Sequence, residues 1–384
     1  MKAQHLPIPL FLAAGLALLA GCGSSGDSSS SNPSPLPPVT ASYQDWLDDT
    51  VGDNIPGLIL HVQGDEVSFT GAAGVASRTT FEPMEVYHQM PAGSAGKKAT
   101  ALLVALLHEE GLLNINDLIA DYLPDSVLNN IPHSREITIL QLLNHTAGVH
   151  DYLDADTSAA WFEAGQNSVG TLKSDIDALS FVFNKPAYFA PGEGVHYSNS
   201  HYLLAGLVLD NVLGEHHHTA LRNRVFIPLG MNNTYYSGWE NELGESISGY
   251  LLLGDEMLDT RPFYASVGVA DAPLVTTVTD LSALLTAIVS DDSPLSEEVR
   301  NILVGEDSII DTPYDMDFGL GIFKELINGK VVFHHGGDEA GYKTTNAYVE
   351  HNNTVITLFA NCNGYDVCSD TVDALMQAVL ASVL

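Results

Sequence analysis

Strand-forming runs lie near both ends of this 384-residue chain with a helix-rich middle between them, and this arrangement constrains the fold most strongly. Residues 58–62 and 67–70 flank a Gly-Asp pair, which predicts a β-hairpin near the start. Four further β-prone runs follow the middle, at 320–325, 331–335, 344–349 and 355–359. Asn328-Gly329, between the first two of these, is a strong hairpin signal. We therefore expect strands from both ends to meet in one antiparallel sheet.

A buried helix is predicted after the first hairpin. Residues 95–110 have helical character, and residues 99–107 are apolar all round except at Thr100. This pattern is typical of a helix that lies between two layers of a fold. Gly111 follows and suits the left-handed conformation that often ends a helix.

The middle of the chain, residues 116–264, alternates helix-like runs with Gly and Pro and is interpreted as an inserted all-α lobe. Residues 42–115 and 265–384 would form a sheet lobe, which an amphipathic helix at 367–384 covers. The predicted fold class is α/β of the α+β kind, an antiparallel sheet flanked by helices. Residues 42–384 would make one catalytic domain.

The first 22 residues are predicted to be a secretion signal. Lys2 precedes an apolar stretch at 6–20 that is too short for a membrane-spanning helix and ends in Leu-Ala-Gly-Cys22. This ending resembles the bacterial lipobox, which would make Cys22 a lipid anchor; an ordinary signal cut near Ala20 is the alternative. Residues 23–41 are rich in Ser and Pro and would form an extended tether.

Charge composition excludes one class of partner. The chain has 14 Lys and Arg against 48 Asp and Glu, a net charge of -34. Such a field repels phosphate backbones, so nucleic acid is not expected as a partner, and docking on anionic lipid is disfavoured. Besides Cys22, the chain has Cys362 and Cys368, which either pair as a disulfide or are packed as free thiols.

Ser94 and Lys97 form the only S-x-x-K in the chain, at the start of the predicted buried helix. Positions i and i+3 share a helix face, so the hydroxyl and the amine can approach each other. The N–H groups at a helix start favour an alkoxide or an oxyanion. Taken alone, the pair also fits a helix cap followed by a solvated lysine.

Two more short motifs carry polar groups suited to acyl chemistry. Tyr197-Ser198-Asn199 is the only Y-x-N, and its phenol becomes a usable base beside an ammonium. His335-Gly336-Gly337 ends a β-prone run, where paired glycines let a substrate approach the backbone. His334 and His335 point to opposite faces of a strand, so only one of them can face a cleft.

In this order and spacing the three motifs resemble the serine β-lactamase and penicillin-binding superfamily, in its class C β-lactamase and D-Ala-D-Ala carboxypeptidase-like branch. Residues 137–148 look like the family's helix ending in H-T-S-G, and residues 226–231 are similar to its P-L-G-M turn. The family's H-G-G-x-x-x-G-[FY] phasing selects His335 and ends at Gly341-Tyr342. The resemblance implies an α/β lobe and an all-α lobe with the site between them.

The resemblance also implies roles. Ser94 would be the nucleophile that forms an acyl-enzyme, and Lys97 and Tyr197 would share the proton transfers, with the base left open between them. Asn199 would position Lys97 and the substrate. The backbone N–H groups of Ser94 and Asp338 would form an oxyanion hole, with His335, Gly336 and Gly337 beside the substrate. No cofactor is implied.

One departure bears on the substrate. Gly336 stands where penicillin-recognising relatives often have the threonine of K-T-G or H-T-G, so a hydroxyl for the substrate carboxylate is missing. The acidic surface also discourages anionic ligands, except near local cations such as His335, Lys343 or Arg78. The sequence therefore favours an esterase or an amidase over an efficient β-lactamase. The alternative is a non-catalytic cell-wall sensor of the penicillin-binding type.

The remaining expectations are less specific. A small molecule or a peptidoglycan peptide is the expected substrate of a monomer that touches a membrane only through its N-terminal lipid. The lipobox predicts a periplasmic location on a bacterial membrane, with the outer membrane favoured and the choice of membrane left open. His216-His217-His218 is not expected to bind metal, because consecutive residues cannot all face one ion and no Cys or carboxylate cluster completes a set. His145 is interpreted as a structural residue.

Overall fold

The computed structural model describes residues 42–253, 256–314, 316–363 and 367–384. Cys22, the signal at 1–22 and the tether at 23–41 lie outside the described residues. Within the described part, no helix is both long and apolar enough to cross a membrane.

Twelve α-helices and fifteen strands are assigned within the described ranges. The helices are α1 (Tyr43–Thr50), α2 (Lys97–Glu109), α3 (Asp125–Leu128), α4 (Ile139–Leu143), α5 (Ser158–Gln166), α6 (Asp175–Leu179), α7 (Asn199–Leu213), α8 (His218–Leu221), α9 (Arg261–Tyr264), α10 (Val278–Val289), α11 (Glu297–Val304) and α12 (Val367–Val383). The strands are β1 (Gly57–Gln63), β2 (Ser68–Ser77), β3 (Glu82–Pro83), β4 (Met90–Pro91), β5 (Tyr235–Tyr236), β6 (Tyr250–Leu253), β7 (Glu256–Asp259), β8 (Leu274–Thr276), β9 (Asp317–Phe318), β10 (Phe323–Ile327), β11 (Lys330–His334), β12 (Gly337–Glu339), β13 (Tyr342–Val349), β14 (Thr354–Ala360) and β15 (Cys362–Asn363).

The main sheet joins the two ends of the chain, as the sequence predicted. Its order is β3-β2-β1-β14-β13-β11-β10-β9, with β12 paired to β13. Strand β1 pairs antiparallel with β2 on one side and with β14 on the other, so that Leu60 lies opposite both Gly71 and Leu358. Strands β10 and β11 form the predicted hairpin, and Asn328 and Gly329 at its turn both have positive φ.

Alternating side chains of the sheet enter two hydrophobic layers. Leu58 and Leu60 of β1 pack with α1 and α12, whereas Ile59 between them packs with α2 and α10 on the other face. A disulfide between Cys362 and Cys368 joins β15 to the start of α12. The sequence had left this pairing open.

The central core helix forms as predicted, with one difference at its start. A 3₁₀ turn at Gly93–Gly96 precedes α2, which then runs from Lys97 to Glu109. Gly111 follows with φ +72 and ends the helical segment in the left-handed conformation. Its residues from Lys97 to Ala105 are buried, because α7, α10 and α11 pack against this helix.

The middle of the chain holds strands that the sequence did not predict. Strands β6 and β7 form a hairpin, and β6 pairs in parallel with β15 through Tyr250 and Cys362. Strand β8 pairs with both β4 and β5. These strands are two to four residues long, and apart from the β6–β7 hairpin they pair with distant parts of the chain, so a periodicity search over local windows gives no signal for them.

Leu103 on α2 tests the claim that this helix is the core of the domain. Its side chain has no exposed surface, and Leu103→Ala should lower the free energy of unfolding by about 2 to 5 kcal/mol because a cavity remains. Leu112→Ala is the matched control, since Leu112 is 50% exposed and should change stability by less than about 0.5 kcal/mol. Urea denaturation of both variants measures the difference, and equal losses would contradict the packing.

Candidate active site

The 3₁₀ turn at Gly93–Gly96 places Ser94 three residues before Lys97, the first residue of α2. Gly93 has φ +55, and a Cβ atom there would lie 3.1 Å from the Cα of Gly337 on β12. A glycine is therefore required where the turn passes the strand. Lys97 follows one helical turn later, and its Nζ lies 3.0 Å from the Ser94 Oγ. The hydroxyl and the amine thus meet as the i, i+3 spacing predicts.

Lys97 has no exposed surface and makes three hydrogen bonds. Its Nζ donates to the Ser94 Oγ at 3.0 Å, to the Asn199 Oδ1 at 2.7 Å and to the Asp271 carbonyl oxygen at 2.9 Å. Burial lowers the pKa of Lys97, while the nearby carboxylates, Asp271 above all, act in the opposite direction. The net shift is downward, which makes the neutral amine more accessible than in an exposed lysine.

Two buried carboxylates complete the surroundings of Lys97. Asp271 lies just before β8, with its Oδ2 3.8 Å from the Lys97 Nζ, and accepts a hydrogen bond from the Tyr152 hydroxyl at 3.1 Å. Asp151 accepts from the Asn199 Nδ2 at 2.9 Å, which fixes the amide so that its oxygen faces Lys97. Burial raises the pKa of Asp151 to about 6 and also raises the pKa of Asp271.

Tyr197 lies beside both Ser94 and Lys97. Its hydroxyl shares a hydrogen bond with the Ser94 side chain, and its ring centroid lies 5.2 Å from the Lys97 Nζ. Burial raises the pKa of Tyr197 well above its ordinary value, although the bond to Ser94 lowers it. The His145 ring packs on the phenol at 4.3 Å and its Nδ1 accepts from the Ser198 N–H at 3.2 Å. His145 therefore supports Tyr197.

The third motif, His335-Gly336-Gly337, approaches Tyr197 and the Ser94 turn from the main sheet. His335 stacks on Phe323 at 4.4 Å and lies 6.0 Å from the Tyr197 ring, whereas the His334 Nε2 lies 3.4 Å from Glu325. Gly337 on β12 passes so close to the Ser94 turn that a Cβ atom would collide with the Ala92 carbonyl oxygen. Two backbone segments, one holding Ser94 and one holding Asp338, thus run side by side.

Acidic groups outnumber free cations at this edge of the site. Asp338 is exposed on β12, and Glu339 contacts the Gly93 turn. Burial raises the pKa of Glu339 to about 7. Lys343 is paired with Asp338 at 3.1 Å and with Asp373 at 3.2 Å. Burial of the His335 ring lowers its pKa well below its ordinary value, so this imidazole is neutral at neutral pH.

Arg78 is also engaged within the protein, because its guanidinium donates a hydrogen bond to the Asp53 carbonyl oxygen. The three cations that could have held an anionic ligand are thus neutral, paired with carboxylates or bonded to a main-chain carbonyl.

The structure brings together most of the residues that the sequence selected. Ser94, Lys97, Tyr197 and Asn199 converge, and the segment from His335 through Gly336 and Gly337 to Asp338 lies beside them. The disulfide of Cys362 and Cys368 lies at β15, and Cys22 is outside the described residues. Sequence reasoning missed four groups around Lys97 or beside the Ser94 turn, namely Asp151, Tyr152, Asp271 and Glu339. None of these belongs to a repeated or periodic pattern, so only the fold reveals them.

Comparison with known proteins places this geometry among related sequences and structures. The sequence model of the Beta-lactamase family matches residues 44–381. Penicillin-binding protein 4* of Bacillus subtilis (strain 168) is 28% identical over 333 residues, which are 81% of this chain and 70% of that protein. Protein flp of Staphylococcus aureus (strain N315) is 27% identical over 232 residues, 59% of this chain and 44% of flp, so the match spans less than half of that relative.

A solved structure with the same fold is the D-amino acid amidase from Ochrobactrum anthropi SV3 complexed with L-phenylalanine. It superposes with a TM-score of 0.73 at 22% sequence identity, covering 89% of this chain and 97% of the amidase. The large antiparallel sheet flanked by helices is thus the fold of these neighbours.

Asp271→Asn tests the electrostatic coupling around Lys97. The Asp271 carboxylate raises the pKa of Lys97, so its removal should lower that pKa further. If Lys97 activates Ser94, the rate at which a fluorophosphonate labels the protein should rise with pH as Lys97 loses its proton, and in Asp271→Asn this rise should move about one unit toward lower pH. Asp154→Asn, a half-buried carboxylate bonded to Tyr188, is the control and should leave the profile in place. A shift toward higher pH in Asp271→Asn would contradict the coupling.

Proposed function

The chain belongs to the Beta-lactamase family, and from this premise we propose that it is a serine acyl hydrolase of the amidase or esterase type. The observation that carries the proposal is the Ser94 hydroxyl 3.0 Å from a fully buried lysine whose other bonds fix it in place. A solvated lysine would have no such acceptors. If Ser94 only capped the helix, there would be no reason for Tyr197 and Asn199 to lie beside it and Lys97.

The proposed reaction begins at Ser94. Neutral Lys97 takes the hydroxyl proton as the Ser94 Oγ attacks the substrate carbonyl carbon, and the tetrahedral oxyanion accepts hydrogen bonds from the Ser94 and Asp338 N–H groups. The proton then passes through Tyr197 to the leaving amine or alcohol, which departs and leaves an acyl-enzyme. Water hydrolyses this ester by the reverse proton path and restores Ser94.

The proposal assigns the base to Lys97 because the two pKa shifts have opposite signs. Burial lowers the pKa of Lys97 and raises that of Tyr197. In the resting site the amine therefore loses its proton more readily than it would in water, and the phenol keeps its own. Tyr197 is suited to pass a proton between Ser94 and the leaving group, since it bonds the same hydroxyl.

The substrate class follows from the charges beside β12. Gly336 supplies no hydroxyl for a carboxylate, and Asp338 and Asp373 neutralise Lys343. Asp338 itself is exposed at this edge. A carboxylate on the substrate would meet repulsion there, whereas a neutral group or an ammonium would not. We therefore favour neutral or amine-bearing amides and esters over penicillins and peptides that end in a free carboxylate.

The lipobox adds a location to the proposal. Acylation of Cys22 would hold the enzyme at the periplasmic face of a bacterial membrane, with residues 23–41 as the tether. This part of the proposal is supported by the sequence alone.

Three probes test the reaction class in one experiment. Intact mass should show one adduct with a fluorophosphonate, continuous turnover of a nitrophenyl ester, and no lasting adduct with a fluorescent penicillin. Ser94→Ala should lose all labelling and turnover with a nearly unchanged melting temperature, because active-site residues are tuned for function rather than stability. Ser68→Ala, an exposed serine on β2, is the control and should retain both. A stable penicillin adduct without ester turnover would instead favour the cell-wall sensor.

A charge series tests the substrate class. Nitroanilides of one amino acid with a free amine, an acetylated amine and a succinylated amine should show falling kcat/KM, with the succinylated compound at least about tenfold below the first. Asp338→Asn should narrow this gap, because it removes the exposed carboxylate and keeps the backbone N–H. Glu298→Gln, an exposed carboxylate on α11, is the control and should leave the gap unchanged. Preference for the succinylated substrate would overturn the charge argument.

A further inference from the structure

A second cluster of polar side chains lies away from Ser94, where α6, α7 and the segment before α8 meet. Asp175, Asp210, His216 and His217 each place one nitrogen or oxygen atom within 4.8 Å of the others. The sequence argument against metal at the histidine run held that no carboxylate cluster completes a set. That argument was wrong, because the fold brings Asp175 and Asp210, which are distant in sequence from each other, to His216 and His217.

Hydrogen bonds already orient part of this cluster. The Asp210 Oδ1 accepts from the His217 N–H at 2.8 Å and lies 2.8 Å from the His217 Nδ1. The other ring nitrogen of His217, Nε2, lies 2.9 Å from the Tyr236 hydroxyl. A histidine with one nitrogen in the cluster and the other on a fixed polar group has the arrangement typical of metal-ligating histidines, whose second nitrogen is held by an outer partner.

Two atoms of the cluster have no partner. Asp175 is 2% exposed; its Oδ1 accepts from the Ala270 N–H at 2.7 Å, but its Oδ2 has no hydrogen-bond partner among the described residues. That oxygen lies over α7, where a Cβ on Gly206 would be 2.5 Å from it. The His216 Nε2 is likewise buried and unpartnered within the described part of the chain. Such atoms are costly to bury unless something binds them.

We propose that Asp175, Asp210, His216 and His217 bind one structural Zn²⁺ ion. Two imidazole nitrogens and two carboxylate oxygens are a donor set that suits zinc, whereas Ca²⁺ and Mg²⁺ prefer oxygen alone. Four protein ligands leave no open position, which is typical of structural rather than catalytic sites. Tetrahedral ligation needs ligand atoms about 3.4 Å apart. Binding would therefore draw the more distant atoms of the cluster together and move the Asp210 Oδ1 and the His217 Nδ1 apart, since these two atoms now lie 2.8 Å from each other in a hydrogen bond.

The ion would stabilise the segment that carries Asp271, which contacts Lys97 in the active site. Asp175 holds the Ala270 N–H, and the next residue, Asp271, accepts the hydrogen bond from Lys97. The Ala270 carbonyl also accepts from Thr100 on α2 at 2.7 Å. Zinc would thus fix α6, α7 and the segment carrying Asp271 relative to one another. This inference is independent of the proposed reaction.

Zinc binding by the untagged chain tests the site. After chelator treatment and dialysis against ZnCl₂, metal analysis should find one zinc per chain, and zinc should raise the melting temperature by several degrees. Co²⁺ in place of zinc should give the visible absorption of a four-coordinate site. Asp175→Asn and His216→Gln should each lose the bound metal and the thermal shift.

Two control variants separate this site from other histidines. His351→Gln changes an exposed histidine outside the ligand set. His150→Gln changes the partly exposed group of His150, Asp154 and Asp156, the other cluster of suitable side chains in the described residues. Both should keep one zinc. Because Asp175→Asn alters a buried contact, the half-buried His216→Gln carries the test, with its fold checked by its melting temperature in chelator. Absence of stoichiometric zinc in the unmutated chain, or equal retention by His216→Gln, would overturn the proposal.

Discussion

The structure depends on how it accommodates the amine of Lys97, which has no access to water. A lysine buried there without hydrogen-bond partners would be strongly destabilising, so the amine needs acceptors from the surrounding protein. The acceptors come from three separate places: the turn before α2, the first residue of α7 and the loop before β8. The sheet-associated helix and the helical part of the chain must therefore meet at one point, and Ser94 lies at that point.

A network of buried hydrogen bonds fixes the position of Lys97. Asp151 and Tyr152 are adjacent in sequence and hold Asn199 and Asp271, respectively, which in turn hold Lys97. Outside this network the Ser94 turn and β12 pass in close contact, which only glycines at 93 and 337 permit. The reacting hydroxyl thus sits between a rigid polar interior and an exposed edge that carries Asp338. In the proposed function, the polar interior determines the proton transfers and the exposed edge selects the substrate.

The sequence revealed those parts of the fold that local patterns encode. The β-prone runs of β1 and β14, the Asn328-Gly329 turn and the apolar helix after Lys97 were all predicted correctly, because each depends on neighbouring residues. The spacing of Ser94, Tyr197 and His335 also identified the family. Asp271 could not be predicted, since a lone aspartate before a three-residue strand has no distinctive neighbours. The pairing of Asp175 with His216 escaped prediction for the same reason, because it exists only after α6 packs on α7.

The protonation of Lys97 is the most direct test of this account. In protein labelled with ¹³C at the lysine Cε, the Lys97 resonance can be assigned by its loss in Lys97→Met, and its chemical shift followed with pH. We predict a pKa below the ordinary lysine value of about 10.4, because burial outweighs the neighbouring carboxylates. Titration at or above that value would show that Lys97 stays charged, and it would contradict the proposed role of Lys97 as the base for Ser94.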